Sequence, residues 1–323
     1  MNPMERTHNC EMKIKRFAYW FIGFSVVVII WKLCIIESNL VSLQSFRKAL
    51  ELQEDQLELT QQQIVLFENW LNKKNNKKLP TIYAVTPTYW RFVQKAELTR
   101  ISQTLRLVPN VHWIVVEDSE TKTELVRNLI VESGLVATHL NAKTPPFEQL
   151  QSKEPRWKRH RGVEQRNTAL KWFRDTLIPN KDKGIVYFMD DDNTYNVKVF
   201  DEMAKIKKVG VWPVGLVGGL NAESPILDEK TGKVKGYRSG WKPNRPFAID
   251  MAGFAINLEL ILTKTEAWFS YKMEKGFQES EFLSYFITKD ELEPLADNCT
   301  KVYVWHTRAE NPAVKGTIPG LEV

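Results

Sequence analysis

The hydrophobic positions of this chain follow three patterns, and the first is an unbroken apolar run. Residues 17–36 read FAYWFIGFSVVVIIWKLCII, and at about 1.5 Å per residue this run is long enough to cross a bilayer as a helix. Lys32 is near the far end, where its stem can reach the interface. The run therefore predicts a transmembrane helix. A cleaved signal peptide is the alternative, but the run is long for one and no small-x-small cleavage site follows it.

The charges that flank the run predict its orientation. Four cations lie within residues 1–16, whereas the first cation after residue 36 is Arg47. Positive charge is retained on the cytosolic side of a membrane. We therefore expect a cytosolic tail over 1–16, a signal-anchor helix over 17–36 and the remaining chain in the lumen, which makes a single-pass type II membrane protein.

Residues 37–79 show a second pattern, in which one apolar residue recurs in every seven. The recurring residues are Leu43, Leu50, Leu57, Ile64 and Leu71. This period keeps a stripe on one side of a slightly supercoiled helix, although charged and amide residues occupy the partner stripe. The segment is predicted to be a luminal stem, either a parallel coiled-coil dimer or a solvated helix. The stretch NKKNNKKLP ends the pattern, and we place the start of the globular domain at residue 80.

From residue 80 onward, short apolar strands alternate with helices. The predicted strands are TIYAVT, VHWIVVED, LVATHL and GIVYFMD, and the predicted helices cover about 91–106, 121–133, 161–177 and 197–207. This succession is typical of an α/β fold whose parallel sheet is covered on both faces. Turn-rich segments after about residue 211 and a short helix near 279–287 predict a mixed half. The domain is thus divided into 80–195 and 196–323, with a cleft between them.

Composition narrows the class of ligand. The chain is 43% hydrophobic and 26% charged with a net charge of +6, which suits a folded protein and an anionic ligand. No basic stripe with interleaved aromatic residues occurs, so nucleic acid is not a predicted partner. Of the three cysteines only Cys299 lies in the globular domain, which leaves an intermolecular bridge through Cys34 open. The sequon at Asn298 predicts N-glycosylation.

Polar side chains gather where the predicted strands end. They are found at Thr86–Tyr89, at Glu117 and Asp118, and at Asp190–Asp192. Because ligands of open α/β sheets bind outside the carboxyl ends of the strands, these residues are expected to share one face. The sequence contains no P-loop, no zinc-ligand spacing and no nucleophile elbow. Oxygen ligands are therefore the candidate chemistry.

The three consecutive acids after the strand GIVYFM require a positive partner. Where the chain turns, Asp190 and Asp192 can point at one centre and Asp191 elsewhere. Carboxylates in this arrangement suit a hard divalent cation such as Mg²⁺ or Mn²⁺, with phosphate oxygens completing the shell. The metal-free alternative is an acid cluster that caps the following helix or pairs with Arg161 and Arg166.

Cationic side chains that could balance these acids occur at two places. Arg161 and Arg166 flank the start of a predicted helix, where guanidinium geometry and the helix N-terminus favour anionic oxygens. The segment His306-Thr307-Arg308 adds a second cationic corner. A diphosphate between the arginines and a metal at the acids is the resulting prediction, and surface ion pairs are the alternative.

Eight segments, in unbroken order from about residue 80 to the end, resemble one enzyme family. They are PTIYAVTPTYWR, LVPNVHWIVVEDSE, RGVEQRNTALKW, VYFMDDDNTY, WPVGLVGG, RPFAIDMAGFAINL, QESEFL and LEPLADNCTKVYVWHTRAENP. Together they are similar to the β-1,3-glucuronyltransferases of glycosyltransferase family 43. The resemblance implies a GT-A fold and inverting, Mn²⁺-dependent transfer of glucuronic acid from UDP-glucuronate to the 3-hydroxyl of a terminal β-galactose. It also implies a Golgi membrane enzyme that forms a homodimer.

The same resemblance assigns roles to single residues. Donor binding is implied for Pro87, Thr88, Tyr89, Asp118, Arg161, Arg166, Asp190, Asp191, Asp192, His306, Thr307 and Arg308. Within that set, Asp118 corresponds to a contact with the base and Asp192 to the direct metal ligand, while Asp190 and Asp191 correspond to residues near the donor sugar and ribose. Acceptor binding is implied for Trp241, Lys242, Arg245 and Asp250.

Inverting transfer needs a carboxylate that takes the proton from the attacking hydroxyl, and by resemblance this base is Glu279. Glu281 lies two residues on and would face another side of the helix. Two alternatives stay open, namely a transferase that uses another UDP-sugar and a catalytically silent, sugar-binding partner of other Golgi transferases. The acceptor is either the galactose-galactose-xylose linker of proteoglycans or lactosamine on glycoproteins or glycolipids.

Overall fold

The computed structural model describes residues 79–151, 154–155, 158–310 and 312, together with most of residues 20–61. The chain divides into two compact units, Met1–Asn72 and Lys73–Val323, and each is described by itself. The predicted stem residues Ile64 and Leu71 lie outside the described residues. The domain boundaries predicted from the sequence stay predictions.

The described part of the first unit contains one helix that is long and apolar enough to cross a membrane, α1 (Gly23–Glu51). It has 29 residues, and its most apolar window has a mean hydropathy of 2.0. These properties match the length that a bilayer requires. Leu43 and Leu50 of the predicted stem stripe lie in this helix and are exposed, and their pairing in a coiled coil stays a prediction.

The second unit contains twelve strands and six right-handed α-helices within its described residues. The strands are β1 (Thr81–Thr88), β2 (Val111–Glu117), β3 (Ala137–Asn141), β4 (Gly184–Phe188), β5 (Thr194–Tyr195), β6 (Val209–Val211), β7 (Val214–Gly215), β8 (Ala222–Leu227), β9 (Val234–Arg238), β10 (Phe254–Asn257), β11 (Glu293–Pro294) and β12 (Val304–Trp305). The helices are α2 (Gln94–Leu105), α3 (Glu124–Ser133), α4 (Val163–Thr176), α5 (Lys198–Met203), α6 (Leu258–Thr263) and α7 (Gln278–Ser284). Single 3-10 turns occur at Pro146–Glu148, Met251–Gly253 and Lys289–Glu291.

The central sheet has seven strands in the order β11-β6-β10-β4-β1-β2-β3. Strand β10 runs antiparallel to β4 and β6, and the other neighbouring pairs are parallel. A second sheet has the order β5-β12-β7-β8-β9. A mostly parallel sheet joined to a mixed half is the arrangement expected of a GT-A fold, so the predicted fold class is confirmed.

Side chains that alternate along the central strands enter two separate cores. Tyr83 and Val85 of β1 face one cluster with α4 and α7, whereas Ile82 and Ala84 face another cluster with α2 and α3. The strands are apolar on both sides because helices cover both faces of the sheet. Because β1, β2 and β4 are parallel neighbours, their carboxyl ends meet at one edge of the sheet. The polar residues that follow these strands are brought together there.

The chain between β11 and β12 contains a left-handed turn at Ala296–Cys299. All four residues have positive φ, with values of 54°, 56°, 53° and 60°. Left-handed backbone costs about 1–2 kcal/mol per non-glycine residue, and consecutive residues seldom adopt it. The predicted glycosylation residue Asn298 lies within this turn, and its side chain is exposed.

Candidate active site

Asp191 is the innermost of the three acids that follow β4. Its carboxylate accepts a hydrogen bond from Thr88 Oγ1 at 2.6 Å and pairs with the guanidinium of Arg91 at 2.7 Å. Burial raises the pKa of Asp191, and the contacts with Arg91 and Thr88 oppose that rise. Arg91 also contacts the buried carboxylate of Glu97, so one guanidinium lies between two buried acids.

Arg91 is a functional candidate that sequence reasoning missed. It lies three residues beyond the carboxyl end of β1, and its Nη1 donates to the carbonyl oxygen of Tyr89 at 3.1 Å. The argument that selected Thr86–Tyr89 from the end of the strand could have been extended to it. The positive partner of Asp191 is therefore a protein side chain.

Asp190 has a different cationic partner. Its Oδ1 accepts from Arg166 Nη2 at 2.8 Å, and Arg166 Nη1 donates to the carbonyl oxygen of Arg161 at 2.9 Å. Gly162 has a φ of +72°, and a Cβ at this position would lie 2.6 Å from Arg166 Nη1. Glycine thus allows Arg166 to fold back over the start of α4. The side chain of Arg161 itself is exposed.

Asp192 is held through its backbone. Its carbonyl oxygen accepts from Arg100 Nη2 and from Thr307 Oγ1, each at 2.8 Å. No side chain in the described part of the chain makes a salt bridge or hydrogen bond with its carboxylate at the distances that define these contacts. Burial, followed by the charge of Asp190, raises the pKa of Asp192. An uncompensated carboxylate of this kind fits a hard divalent cation.

The segment His306-Thr307-Arg308 lies beside the acids because β12 pairs with β5. Val304 pairs with Tyr195, and Trp305 pairs with Thr194. This register places the residues after β12 next to the residues between β4 and β5. Thr307 Oγ1 then donates to the carbonyl oxygen of Asp192. This bond joins the cationic segment 306–308 to the acidic segment 190–192, which the sequence had indicated only as separate candidates.

His306 links the predicted donor residues to the predicted acceptor residues. Its Nδ1 lies 3.4 Å from Asp250 Oδ2, and Arg308 Nη2 lies 3.1 Å from its Nε2. The contact with Asp250 raises the pKa of His306. Burial alone would raise the pKa of Asp250, but the contact with His306 and the hydrogen bond from the backbone nitrogen of Ala252 outweigh burial, and the pKa is lowered. The two pKa values shift in opposite directions, as expected for a histidine and a carboxylate that stabilise each other's charged form.

Glu279 lies in the first turn of α7, and its side chain is half-buried. Burial and the nearby charge of Asp250 raise its pKa to about 7, and Arg245 and Arg166 partly oppose the rise. Glu281, two residues on, is exposed, and its Oε1 lies 3.3 Å from the backbone nitrogen of Glu274. The two glutamates thus face different surroundings, and only Glu279 shares an environment with Arg166.

Trp241 and its neighbours form an exposed aromatic and cationic surface. The indole is 41% exposed, and its ring centroid lies 5.9 Å from that of Phe277 in an edge-to-face arrangement. The guanidinium of Arg245 and the ammonium of Lys242 each lie 4.9 Å from the Trp241 ring. Gly276 also approaches the indole closely, and a Cβ at this position would lie 2.5 Å from the ring. Such a surface is suited to stacking against a sugar ring.

Glu223 supports this surface and was also missed by sequence reasoning. Its Oε1 accepts from Ser239 Oγ and from the backbone nitrogen of Gly240, both at 2.8 Å. These bonds fix the turn that leads into Trp241. Glu223 and Asp250 line the same small pocket. An acid within a proline-containing strand gave no recognisable signal in the sequence.

The remaining predicted donor residues lie at the ends of β1 and β2. Pro87 is in β1, and Tyr89, just beyond it, is 43% exposed. Asp118 follows β2, and its two carboxylate oxygens accept from the backbone nitrogen and the hydroxyl of Thr144 at 2.8 and 2.6 Å. Asp118 therefore anchors the loop after β3, a contact that the sequence did not predict.

The sequence profile described as glycosyltransferase family 43 matches residues 101–310. The chain belongs to glycosyltransferase family 43. It is 54% identical over 236 residues to galactosylgalactosylxylosylprotein 3-beta-glucuronosyltransferase I of Drosophila melanogaster, a match that covers 72% of this chain and 77% of that protein.

Two mammalian proteins give a similar result for this family 43 chain. Galactosylgalactosylxylosylprotein 3-beta-glucuronosyltransferase 3 of Mus musculus is 50% identical over 264 residues, with 76% of this chain and 78% of that protein covered. Galactosylgalactosylxylosylprotein 3-beta-glucuronosyltransferase 1 of Homo sapiens is 50% identical over 255 residues, with 76% and 75% covered. The recognition made from motifs is confirmed, and the chain is a family 43 glycosyltransferase.

Proposed function

We propose that this enzyme transfers glucuronic acid from UDP-glucuronate to the 3-hydroxyl of a terminal β-galactose and inverts the anomeric configuration. The names of its relatives support the donor sugar and the acceptor. The structural observation that carries the proposal is the position of Glu279, whose half-buried carboxylate shares one environment with Arg166 and Asp250.

Glu279 is the proposed base. With a pKa of about 7, a substantial fraction of its carboxyl groups is ionised near neutral pH, and the ionised form is basic enough to accept a proton in the transition state. The proton moves from the acceptor 3-hydroxyl to a carboxylate oxygen of Glu279 as the oxygen attacks the anomeric carbon. The bond between that carbon and the diphosphate breaks on the opposite face.

The donor-binding side is proposed to use the cationic groups around the acids. Arg166 is oriented by Asp190 and by the carbonyl of Arg161, so its guanidinium is preorganised for anionic oxygens. His306 and Arg308 contact each other beside Asp250 and would hold the diphosphate or the sugar carboxylate. Preorganised donors of this kind stabilise charge where it develops on the leaving group.

Mn²⁺ is the proposed cofactor, and Asp192 is the residue that would hold it. Its carboxylate lacks a protein partner among the described residues, as noted above. Within that same part of the chain no three His, Cys, Asp or Glu side chains are grouped to hold a metal, which suits an ion that takes its other ligands from diphosphate oxygens and water. When bound, the ion would neutralise negative charge on the departing diphosphate.

The acceptor is proposed to lie across Trp241, with Lys242, Arg245 and Asp250 contributing polar contacts. The galactose-galactose-xylose linker of proteoglycans is the favoured acceptor, because it is the glycan named in the relatives. Lactosamine-type glycans on glycoproteins or glycolipids are the alternative. A single-pass type II anchor over residues 17–36, a Golgi location, a homodimer and a glycan on Asn298 complete the proposal.

The proposal is tested by incubating the purified full-length chain with UDP-glucuronate, Mn²⁺ and a panel of β-galactosides. We expect UDP release that depends on a galactose-terminated acceptor and a product with a β-1,3 linkage. Release with another UDP-sugar but not with UDP-glucuronate would support the related transferase instead. Absence of release with every donor would support the silent, sugar-binding alternative.

Replacement of the base gives the second test. Glu279→Gln keeps the size of the side chain and removes its basicity, so we expect transfer to be abolished while UDP binding survives. Glu281→Gln is the matched control, because this exposed neighbour has no role in the proposal. Loss of both transfer and UDP binding in Glu279→Gln would mean that the residue is structural.

A further inference from the structure

The connection between α6 and α7 has little regular structure, yet it leads directly into the helix that contains Glu279. Three side chains spaced by seven residues fix its backbone, and they are His160, Asn167 and Arg174. Asn167 and Arg174 lie on α4, the helix that also contains Arg166. Because Asn167 and Arg174 are seven residues apart, they lie on the same side of α4. That side of α4 therefore holds the connection, and His160 adds a contact from the segment just before the helix.

Asn167 makes the central and most specific of these contacts. Its Nδ2 donates to the carbonyl oxygen of Phe269, and its Oδ1 accepts from the backbone nitrogen of Phe269, both at 2.9 Å. A carboxamide presents a donor and an acceptor side by side and here satisfies both backbone groups of one residue. A carboxylate of the same size offers only acceptors and can make only one of the two bonds.

The other two side chains hold the connection on either side of Phe269. Arg174 donates to the carbonyl oxygens of Ile261, Lys264 and Ala267 at 3.1, 3.0 and 2.8 Å. His160 Nε2 lies 2.9 Å from the carbonyl oxygen of Met273. The backbone of the connection is therefore tied to side chains at its start, its centre and its later part.

Phe269 connects the backbone held by Asn167 to α7, the helix that contains Glu279. Its ring stacks on Phe282 of α7 with a centroid distance of 4.1 Å, and Phe188 of β4 meets it edge-on at 5.3 Å. The guanidinium of Arg166 lies 5.8 Å from the same ring. Phe282 follows Glu279 by three residues and therefore lies one turn further along α7. One buried ring thus contacts the strand before the acids, the donor-side arginine and the helix of the base.

The first residue of α7 is tied to the same place. Gln278 Nε2 donates to the carbonyl oxygen of Ser270 at 2.7 Å, the residue that follows Phe269. The start of α7 is therefore held by the connection that Asn167 holds. Since Arg166 and Asn167 are neighbours on α4, the same helix sets the place of a donor-binding group and of the connection to the base.

We propose that Asn167 is a positioning residue that fixes Glu279 relative to Arg166 through Phe269 and α7. The inference deepens the proposed function and depends on Glu279 being the base of that reaction. Asn167 touches neither substrate in this arrangement. It acts by keeping the base at the distance from the donor that transfer requires, where a displacement of 1 Å can cost about a hundredfold in rate.

The test uses two variants and one control in the full-length chain. Asn167→Ala removes both bonds to Phe269, whereas Asn167→Asp keeps the size of the side chain and the accepting oxygen but loses the donor. Lys171→Ala is the matched control, because Lys171 lies on the same helix, is exposed and pairs with Asp175 at 2.6 Å. The Asp variant keeps the test decisive if the Ala variant does not fold.

The first measurement needs no substrate. Amide hydrogen exchange is followed in residues 264–277 and in α7. We expect exchange in both segments to be about tenfold faster in Asn167→Ala, intermediate in Asn167→Asp and unchanged in Lys171→Ala, since local opening follows the loss of backbone hydrogen bonds. Unchanged exchange in both Asn167 variants would overturn the inference whatever the activity of the enzyme.

The second measurement is steady-state transfer from UDP-glucuronate to a β-galactoside. We expect kcat to fall about 10- to 100-fold in Asn167→Ala, with the KM for the donor within about threefold of the parent. The acid limb of kcat should move below pH 7 in this variant, because a loosened α7 admits water to Glu279 and lowers its pKa. The charged groups around Glu279, namely Asp250, Arg245 and Arg166, are unchanged.

Three results would count against the inference or the function, and each is distinguishable. Kinetics equal to those of the control, despite faster exchange, would mean that the connection is held without positioning the base. A parallel loss of donor affinity and kcat would mean that Asn167 acts on the donor site itself. A parent enzyme that releases no UDP would overturn the proposed function, while hydrogen exchange would still decide whether Asn167 holds the connection.

Discussion

Removal of Arg91 is predicted to cost more stability than any exposed ion pair of this protein. The side chains of Arg91, Asp191 and Glu97 are 12%, 7% and 3% exposed, so Arg91→Met leaves two buried carboxylates without their cation. Breaking a buried pair in this way costs about 3–5 kcal/mol. In a domain of this size each kcal/mol lowers the melting temperature by about 2–4 °C, so we expect a decrease of about 6–20 °C.

The loss of stability in Arg91→Met should depend on pH, and it should be smaller at low pH than at high pH. Burial already holds the pKa of Asp191 above its ordinary value in the folded chain, and loss of Arg91 raises it further. A carboxyl whose pKa is higher in the folded state than in the unfolded state binds its proton more readily when the chain is folded. Folding is therefore least favoured at pH values above that pKa, where the buried carboxyl has to lose its proton. The deficit of Arg91→Met is therefore largest above that pKa and shrinks as the pH falls.

Thermal unfolding of the full-length chain at pH 7.5 and pH 5.0, followed by tryptophan fluorescence, measures both effects. Arg127→Met is the matched control, because Arg127 forms an ion pair with Glu124 on the surface, where the two side chains are 60% and 78% exposed, respectively. Exposed ion pairs contribute about 1 kcal/mol or less to stability. Arg91→Lys keeps the charge without the forked geometry and should fall between the two. A deficit no larger than that of the control, or one that grows toward pH 5.0, would refute the reasoning.

Three further outcomes are expected. The kcat of transfer should rise with pH through about 7, because Glu279 must lose its proton to act as a base and its pKa is about 7; a profile flat from pH 5 to 8 would contradict this. Gly276→Ala should raise the KM for the acceptor up to about tenfold by displacing Trp241, with the donor KM unchanged. Asp297→Val should lower the free energy of unfolding by about 1–2 kcal/mol, because a β-branched residue resists left-handed backbone, whereas Asp297→Gly should not.

The sequence predicted the elements of the fold because their signals are local. Apolar runs of five to eight residues gave β1, β2 and β4, and the rule that ligands bind at strand ends brought Thr88 and Asp191 to one edge. The structure shows these two side chains bonded to each other. Family motifs supplied the roles of Glu279 and Trp241, which no periodicity could have supplied.

What the sequence could not predict depends on contacts between distant segments. The pairing of β12 with β5 brings Thr307 to the backbone of Asp192, and strand order across a mixed sheet is not encoded in either short strand. The inward turn of Arg91 depends on how α2 packs at the end of β1. The left-handed turn beginning at Ala296 contains no glycine, so the usual signal for positive φ is missing there.

That left-handed turn also bears on the order of events while the protein is made. In the folded chain Cys299 is buried, and the hydroxyl of Thr300 already donates to the carbonyl oxygen of Asp297 at 2.7 Å. An enzyme that reads Asn298 together with Thr300 would need both groups free, so a glycan has to be attached before this segment folds. If the domain is luminal as proposed, the fraction of chains modified at Asn298 would report how long the last part of the domain stays unfolded during synthesis.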